Sequence, residues 1–387
     1  MEKLLIENFG SLKEIDITLK NLTIFIGKTG TGKSTLAKLI AIFRQPNFLV
    51  EIIQGKGAYF EKCLRDYKID SYLEDNTFIG YVSEWFIVQY NAKLENKIEV
   101  SLNFETRKLV EKEIGNNVKE DIQYFKVIEE KITVLIPKNI YIPTERMLLS
   151  IFQDGQFDDD LKKIIPNSLF EFGKYWKIAS IQLQKYHTSI FNVTYTRKGT
   201  EDYVLLPNGK ELKLSVSASG MQTLIPALLV LDYYTKDKED KHSFTFEEPE
   251  LNLFPTAQKD LVEFLAEKVL NNGHQLVICT HSPYILTSFN NLLYAYQVQK
   301  QFPASQEKVF EVISQNKLVS SAEIAIYYLP LEEEFEEYET YAVDLLDKET
   351  GLIPDNDLDS ASEYIVEDFK QLISIYREYQ RTNRKPI

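Results

Sequence analysis

The sequence predicts an α/β fold built on a mixed, largely parallel sheet. Three observations carry this expectation. The apolar run Leu22-Thr23-Ile24-Phe25-Ile26 leads through a glycine-rich turn into Ser34–Phe43, whose apolar residues have helical spacing. Apolar strands and helical stretches alternate across residues 220–300, the pattern of side-by-side parallel strands joined by helices. The chain has 387 residues, 44% of them hydrophobic and 26% charged, an ordinary globular balance with enough apolar material for a large core.

The elements follow in order. Leu4-Leu5-Ile6, the alternating Ile15–Leu19 and the run Leu22–Ile26 read as three short strands, the first two separated by the Asn8-Phe9-Gly10-Ser11 turn. From about Gln45 to Lys131, Lys, Glu, Tyr and Phe are mixed at helical spacing, interrupted by one strand at Lys97–Phe104. This predicts an inserted, mostly helical lobe. Val134-Leu135-Ile136 and Ile140-Tyr141-Ile142 return to core strand, and a helical piece covers about Met147 to Ile190. Asn192–Thr196, Asp202–Leu206 and Glu211–Leu214 form hairpins, with turn chemistry at Pro207-Asn208-Gly209. A helix from Gly220 to Tyr234, a buried strand at Phe244–Phe246, a helix from Thr256 to Leu270 and a strand at Gln275–Cys279 complete the pattern, followed by a mixed tail. The expected divisions are 1–45, the inserted lobe 46–133, 134–300, and an acidic C-terminal subdomain 301–387 with α/β character.

Composition excludes several classes. Lys and Arg total 44 against 58 Asp and Glu, a net charge of −14, which does not support nucleic-acid binding through the bulk field, although a local basic groove remains open. Cys63 and Cys279 are the two cysteines and lack metal-ligand spacing, which favours a reducing cytoplasm. The start has no apolar h-region, and no window approaches the ~20 apolar residues of a membrane span. A cytoplasmic protein is expected.

Four motifs carry chemistry. Gly27-Lys28-Thr29-Gly30-Thr31-Gly32-Lys33-Ser34 fits G-x-x-x-x-G-K-[ST], with Thr35 next in the helix. Glycines let backbone N–H groups face a phosphate chain, and the helix adds its positive end. ATP or GTP binding follows, with Lys33 reaching the β- and γ-phosphates and Ser34 holding Mg²⁺. In Ser243–Glu250 a buried strand ends in acids: Glu247 takes the metal role, and Glu248 is the base that polarises the attacking water. Leu276–Pro283 places His281 beyond another buried strand, at the edge where α/β sites collect. Leu214–Gln222 is a small-residue loop at a helix N-terminus; alone it reads as a cap, and it can also bind phosphate.

Together these motifs resemble the ATP-binding cassette superfamily, and more closely its soluble branch of SMC and RecF heads and OLD-family ATPases. Ile6-Glu7-Asn8-Phe9-Gly10-Ser11 looks like that branch's opening. Glu247–Pro255 is similar to its Walker B and D-loop, Thr280-His281-Ser282-Pro283 to its switch-histidine segment, and Ala218-Ser219-Gly220-Met221-Gln222 to a signature loop. The resemblance implies a P-loop NTPase head with ATP and Mg²⁺ as cofactors. It also implies a head-to-tail homodimer in which Ser219, Gly220 and Gln222 meet the partner's nucleotide. Arg146, in Tyr141–Arg146, is the candidate for the Q-loop region; the alternative is a surface ion pair. No sustained heptad run occurs between Ser34 and Ser219, and no nuclease pattern is evident after His281. Such compact heads look like ATPase subunits of bacterial anti-phage systems of the Septu and PARIS types, implying an ATP-driven switch over a separate effector such as a nuclease or toxin. The alternative is a RecF/SMC-like ATPase that clamps DNA.

Overall fold

The computed structural model describes residues 2–103, 106–108, 130, 136–151, 165–338 and 340–354. The opening strands form as expected: β1 (Glu2–Phe9), β2 (Leu12–Leu19) and β3 (Leu22–Ile26), followed by helix α1 (Lys33–Phe43). Then come α2 (Pro46–Ile53), α3 (Ala58–Asp66), β4 (Leu73–Val82), β5 (Phe86–Asn91), β6 (Ile98–Leu102) and β7 (Lys138–Ile142). Helices α4 (Met147–Ile151) and α5 (Asn167–Gln182) precede the antiparallel meander β8 (Lys185–Thr188), β9 (Val193–Lys198), β10 (Glu201–Leu205) and β11 (Glu211–Lys213). The chain continues with α6 (Ser219–Tyr234), β12 (His242–Glu247), α7 (Pro255–Lys268), β13 (Gln275–Thr280), α8 (Pro283–Gln301), β14 (Ile324–Tyr328) and β15 (Val343–Asp344).

The central sheet runs β15-β14-β3-β13-β12-β7, parallel throughout except for β15. Its alternating side chains divide the core. Leu22, Ile24 and Ile26 of β3, with Phe244 and Phe246 of β12, pack against α5, α6, α7 and α8. Phe25 of β3 and Val277 of β13 point the other way, onto α1 and the inner face of a second, antiparallel sheet, β2-β1-β4-β5-β6. The sheet is therefore buried on both faces, as near-continuous apolar strands require. Its register also sets up the site: Ile26 lies opposite Thr280, and Cys279 opposite Glu247. The residues that follow β3, β12 and β13 all emerge at one carboxyl edge.

Three expectations need correction. The stretch after Gln45 is not a mainly helical lobe over its described residues, because β4, β5 and β6 extend the sheet begun by β1 and β2, with Lys3 opposite Val82 and Ile6 opposite Ile79. The expected helix between Lys108 and Ile132 lies almost wholly outside the described residues, as do Val134, Leu135 and the chain beyond Pro354. The C-terminal region is not a separate subdomain where it is described. Ile324–Tyr328 enters the central sheet beside β3, all five residues buried. Finally, Lys185–Thr188, expected to be helical, pairs with β9. For β4 and β14 a long-range strand partner decides, which local texture does not show, whereas Lys185–Thr188 closes a local hairpin.

The two sheets are bolted together by Arg44, which follows α1 and is 3% exposed. Its Nε and Nη2 donate to the Glu2 carboxylate at 2.8 Å each, Nη1 donates to Ser243 Oγ on β12 at 2.7 Å, and the Tyr81 hydroxyl joins Glu2 from β4. Burial opposes the guanidinium's charge, but Glu2 outweighs it and holds its pKa above the ordinary value. Removing one member leaves the other charge stranded. Arg44→Met is expected to cost about 3 kcal/mol in urea unfolding, and Glu2→Gln in the same chain should return part of that loss.

Candidate nucleotide site

The loop between β3 and α1 is shaped by glycine. Gly32 has φ +93°, and a Cβ there would lie 2.4 Å from Leu12 Cδ2 and 2.9 Å from Ser11 Oγ, so the loop closes against the β1–β2 turn only without a side chain. Lys33, the first residue of α1, is 5% exposed and curls back over the loop, donating from Nζ to Gly27 O at 2.8 Å and Lys28 O at 2.6 Å. Burial brings its pKa down from 10.5 to about 8, against the pull of Cys279, Glu248 and Glu250. Cys279 Sγ donates to Lys33 O at 3.1 Å, tying α1 to β13. Ser34 is exposed at the helix start, Thr35 is buried beneath it, and Thr31 Oγ1 donates to Lys28 O at 3.0 Å. Lys28 pairs with Glu334, whose carboxylate also accepts from Tyr328 Oη and Leu331 N; the segment after β14 thus lies against the loop.

Glu247, the last residue of β12, is 3% exposed. Burial raises its pKa; the Lys38 charge and the hydroxyls of Tyr141 and Ser34 oppose the shift. Its Oε1 has no hydrogen-bond partner. A buried carboxylate oxygen left unsatisfied beside an exposed serine hydroxyl, at the mouth of a phosphate loop, fits a divalent cation that takes its remaining ligands from phosphate and water. Among the described residues no group of three or more His, Cys, Asp or Glu could by itself hold a metal ion.

Glu248 turns outward. Its φ of +41° is unusual for a residue with a Cβ, and its N–H donates to Cys279 O at 2.8 Å. The side chain is 33% exposed, with Oε1 3.7 Å from Nε2 of His281, itself 35% exposed. The sequence reading missed Glu250, whose Oε1 accepts from the His281 N–H at 2.7 Å and holds that loop in place. Burial pushes its pKa up, and its Oε2 is unpartnered. Its position in the Glu247-Glu248-Pro249-Glu250 run was the one available signal.

One expected site residue, Arg146, occupies another position. Arg146 is neither a nucleotide-facing Q-loop group nor a surface ion pair: it is completely buried, and its donors go to the carbonyls of Pro143, Thr223, Glu247 and Glu248. Gly220 is buried within its own chain, where a Cβ would stand 2.7 Å from Asn252 O. Gln222 is held by Ser217 O at 2.7 Å and by Ser150 Oγ at 3.1 Å. Ser219 is exposed at the start of α6.

The AAA ATPase domain family matches this chain over residues 1–157 and 152–286. The chain belongs to that family. Its P-loop NTPase architecture, α/β with a mixed, largely parallel central sheet and an antiparallel sheet beside it, agrees with the fold class expected from sequence. Solved structures similar to this chain include an SMC head domain from Thermotoga maritima, 13% identical with TM-score 0.40, covering 74% of this chain and 90% of that one. An Smc head domain with an extended coiled coil, bound to the C-terminal domain of ScpA and derived from Pyrococcus furiosus, is 12% identical with TM-score 0.39, covering 74% and 92%. A dimeric bacterial ABC transporter cassette is 12% identical with TM-score 0.30, covering 74% and 91%. No curated protein matches. No helix among the described residues is long and apolar enough to cross a membrane.

The depressed Lys33 pKa has a sign that can be measured. Without nucleotide, Lys33 loses its proton above pH 8, whereas phosphate oxygens favour its charged form and raise the pKa. ATP affinity is therefore expected to be nearly flat below pH 8 and to fall above it, roughly tenfold by pH 9, with proton uptake on binding. Calorimetry in two buffers of different ionisation enthalpy reads both quantities, and Lys33→Ala should bind weakly with no such pH dependence.

Proposed function

We propose that this protein hydrolyses ATP with Mg²⁺ at a site completed by a second copy of itself, and that the nucleotide state governs a separate effector. The observation that carries the ATPase reading is the convergence, at one sheet edge, of the Gly27–Ser34 loop, the unsatisfied Glu247 carboxylate and the Glu248–His281 pair. In this reading the loop N–H groups and the start of α1 bind the phosphates, and Lys33 exchanges its loop carbonyls for β- and γ-phosphate oxygens. Ser34 and Glu247 hold the Mg²⁺, which when bound neutralises charge developing on those oxygens. Glu248 takes the proton of the water that attacks the γ-phosphorus as the bond to ADP breaks, and His281 donates a hydrogen bond to the γ-phosphate.

Self-association is supported by the surface around Ser219. The hydrogen bonds around α6 run to Arg146, Ser150 and Asn252, so Ser219 remains available to a partner's nucleotide. Val216, beside it, is 70% exposed, and Phe254, at the foot of α7, is 75% exposed. Burying such residues in a head-to-tail pair is the usual resolution for exposed apolar side chains next to a functional edge. An effector is supported by the acidic segment Glu332–Glu334, which carries Glu332 and Glu333 exposed while Glu334 pairs with Lys28 of the loop. A basic partner docked there would sit beside the phosphates, as expected of a regulated anti-phage ATPase. The net charge of −14 weighs against the DNA-clamp alternative.

Glu248→Gln tests this reading. It keeps the side-chain shape but cannot accept a proton, so turnover should fall at least ~100-fold while Mg²⁺-ATP binding is retained and an ATP-bound dimer accumulates in sedimentation runs. Wild-type turnover in Glu248→Gln would overturn the assignment.

A further inference from the structure

Arg146 forms four hydrogen bonds in the interior and has no role in the mechanism above. Its guanidinium lies 4.8 Å over the Phe246 ring. Nη1 donates to Glu247 O at 2.8 Å and Pro143 O at 2.9 Å, Nη2 donates to Glu248 O at 2.8 Å, and Nε donates to Thr223 O at 3.2 Å. One rigid plane therefore fixes both peptide carbonyls that flank the outward turn at Glu248, and the same plane holds the first turn of α6.

Thr223 carries the connection onward. Its Oγ1 donates to Ser219 O at 2.8 Å and accepts from Asn252 Nδ2 at 3.2 Å, while Gly220 packs against Asn252 O. Ser150, four residues beyond Arg146, meets Gln222. The strand end that bears the hydrolytic carboxylate and the helix start that bears Ser219 are thus held by one side chain.

We propose that Arg146 is a positioning residue that sets Glu248 for its own chain's nucleotide and, through Thr223, sets Ser219 for the partner's nucleotide. The inference rests on the composite ATPase site proposed above. The chemistry requires arginine. Only a guanidinium offers a planar fork of donors that can serve carbonyls from three separate segments, whereas an ammonium is a point donor. The positive-φ conformation of Glu248 is sparsely populated and persists where its surroundings over-determine it, and two of the carbonyls held by Arg146 belong to that turn. Burial lowers the Arg146 pKa to about 10, so at neutral pH the group is still the cation that the four carbonyls need.

The test compares Arg146→Lys and Arg146→Ala with wild type, in chains carrying Glu248 and in chains carrying Glu248→Gln. ATP affinity, steady-state turnover and thermal melting are measured for each. Arg146→Lys should bind ATP within about twofold of wild type and lose turnover by at least ~30-fold with KM nearly unchanged. In the Glu248→Gln background the same change should lower the residual rate less than ~twofold, because the carboxylate it positions is already gone. Millimolar guanidinium ion should return turnover to Arg146→Ala, whether or not the lysine variant folds. Mixed dimers read the second half: wild type paired with Arg146→Lys should turn over more slowly than wild type paired with Glu248→Gln, because the wild-type nucleotide then meets a displaced Ser219.

An equal fold loss in both backgrounds, or ATP affinity falling in step with melting temperature, would make Arg146 merely structural and overturn the proposal. Restoration of stability by guanidinium without turnover would do the same. Equal rates in the two mixed dimers would remove the link to Ser219. Turnover that survives Glu248→Gln alone would instead overturn the ATPase reading on which this inference rests.

Discussion

A carboxylate buried at the end of a parallel strand is the constraint around which this molecule is arranged. An ionised group out of water needs compensating charge and hydrogen bonds, and one oxygen of Glu247 has no hydrogen-bond partner. Around it lie the Lys38 charge and the Ser34 hydroxyl, while Lys33 curls over its own loop. The register of β3, β13 and β12 brings all of this to one edge, and burial of the sheet on both faces keeps it there.

Rigidity and motion are divided between the two sides of that edge. Arg44 and Arg146 are both fully committed, one joining the two sheets and the other joining three chain segments behind Glu248. Lys33 is held differently, by loop carbonyls that phosphate oxygens can replace. Its lowered pKa records the burial of the ammonium group. The acidic segment after β14 touches the same loop through Lys28, so the Lys28–Glu334 ion pair links the loop to the surface that carries Glu332 and Glu333.

Much of this could be read in the sequence, for a definite reason. The phosphate loop, the acids after β12 and the histidine after β13 are local: each is a strand, a turn and one or two side chains, and local order is what sequence displays. The strands β4 and β14 were not legible as sheet members because β1 and β3, which they join, lie far away in sequence, as with Ile6 opposite Ile79 and Ile24 opposite Ile326. The inner role of Arg146 was hidden because its partners are backbone carbonyls, which every residue carries. Gly220 is read as facing a partner's nucleotide, and within its own chain its lack of a side chain also answers to Asn252 O. Small-residue loops look alike whether the close approach is to a ligand or to the protein itself.

The central claim is that Glu247 waits for a cation delivered with nucleotide. Comparing ATP affinity with Mg²⁺ and with chelator, in wild type and in Glu247→Gln, addresses it most directly. Mg²⁺ should tighten ATP binding by wild type at least ~tenfold and leave Glu247→Gln nearly unchanged, in line with the loss expected when a metal-site carboxylate is neutralised. An equal gain from Mg²⁺ in both proteins would contradict the account.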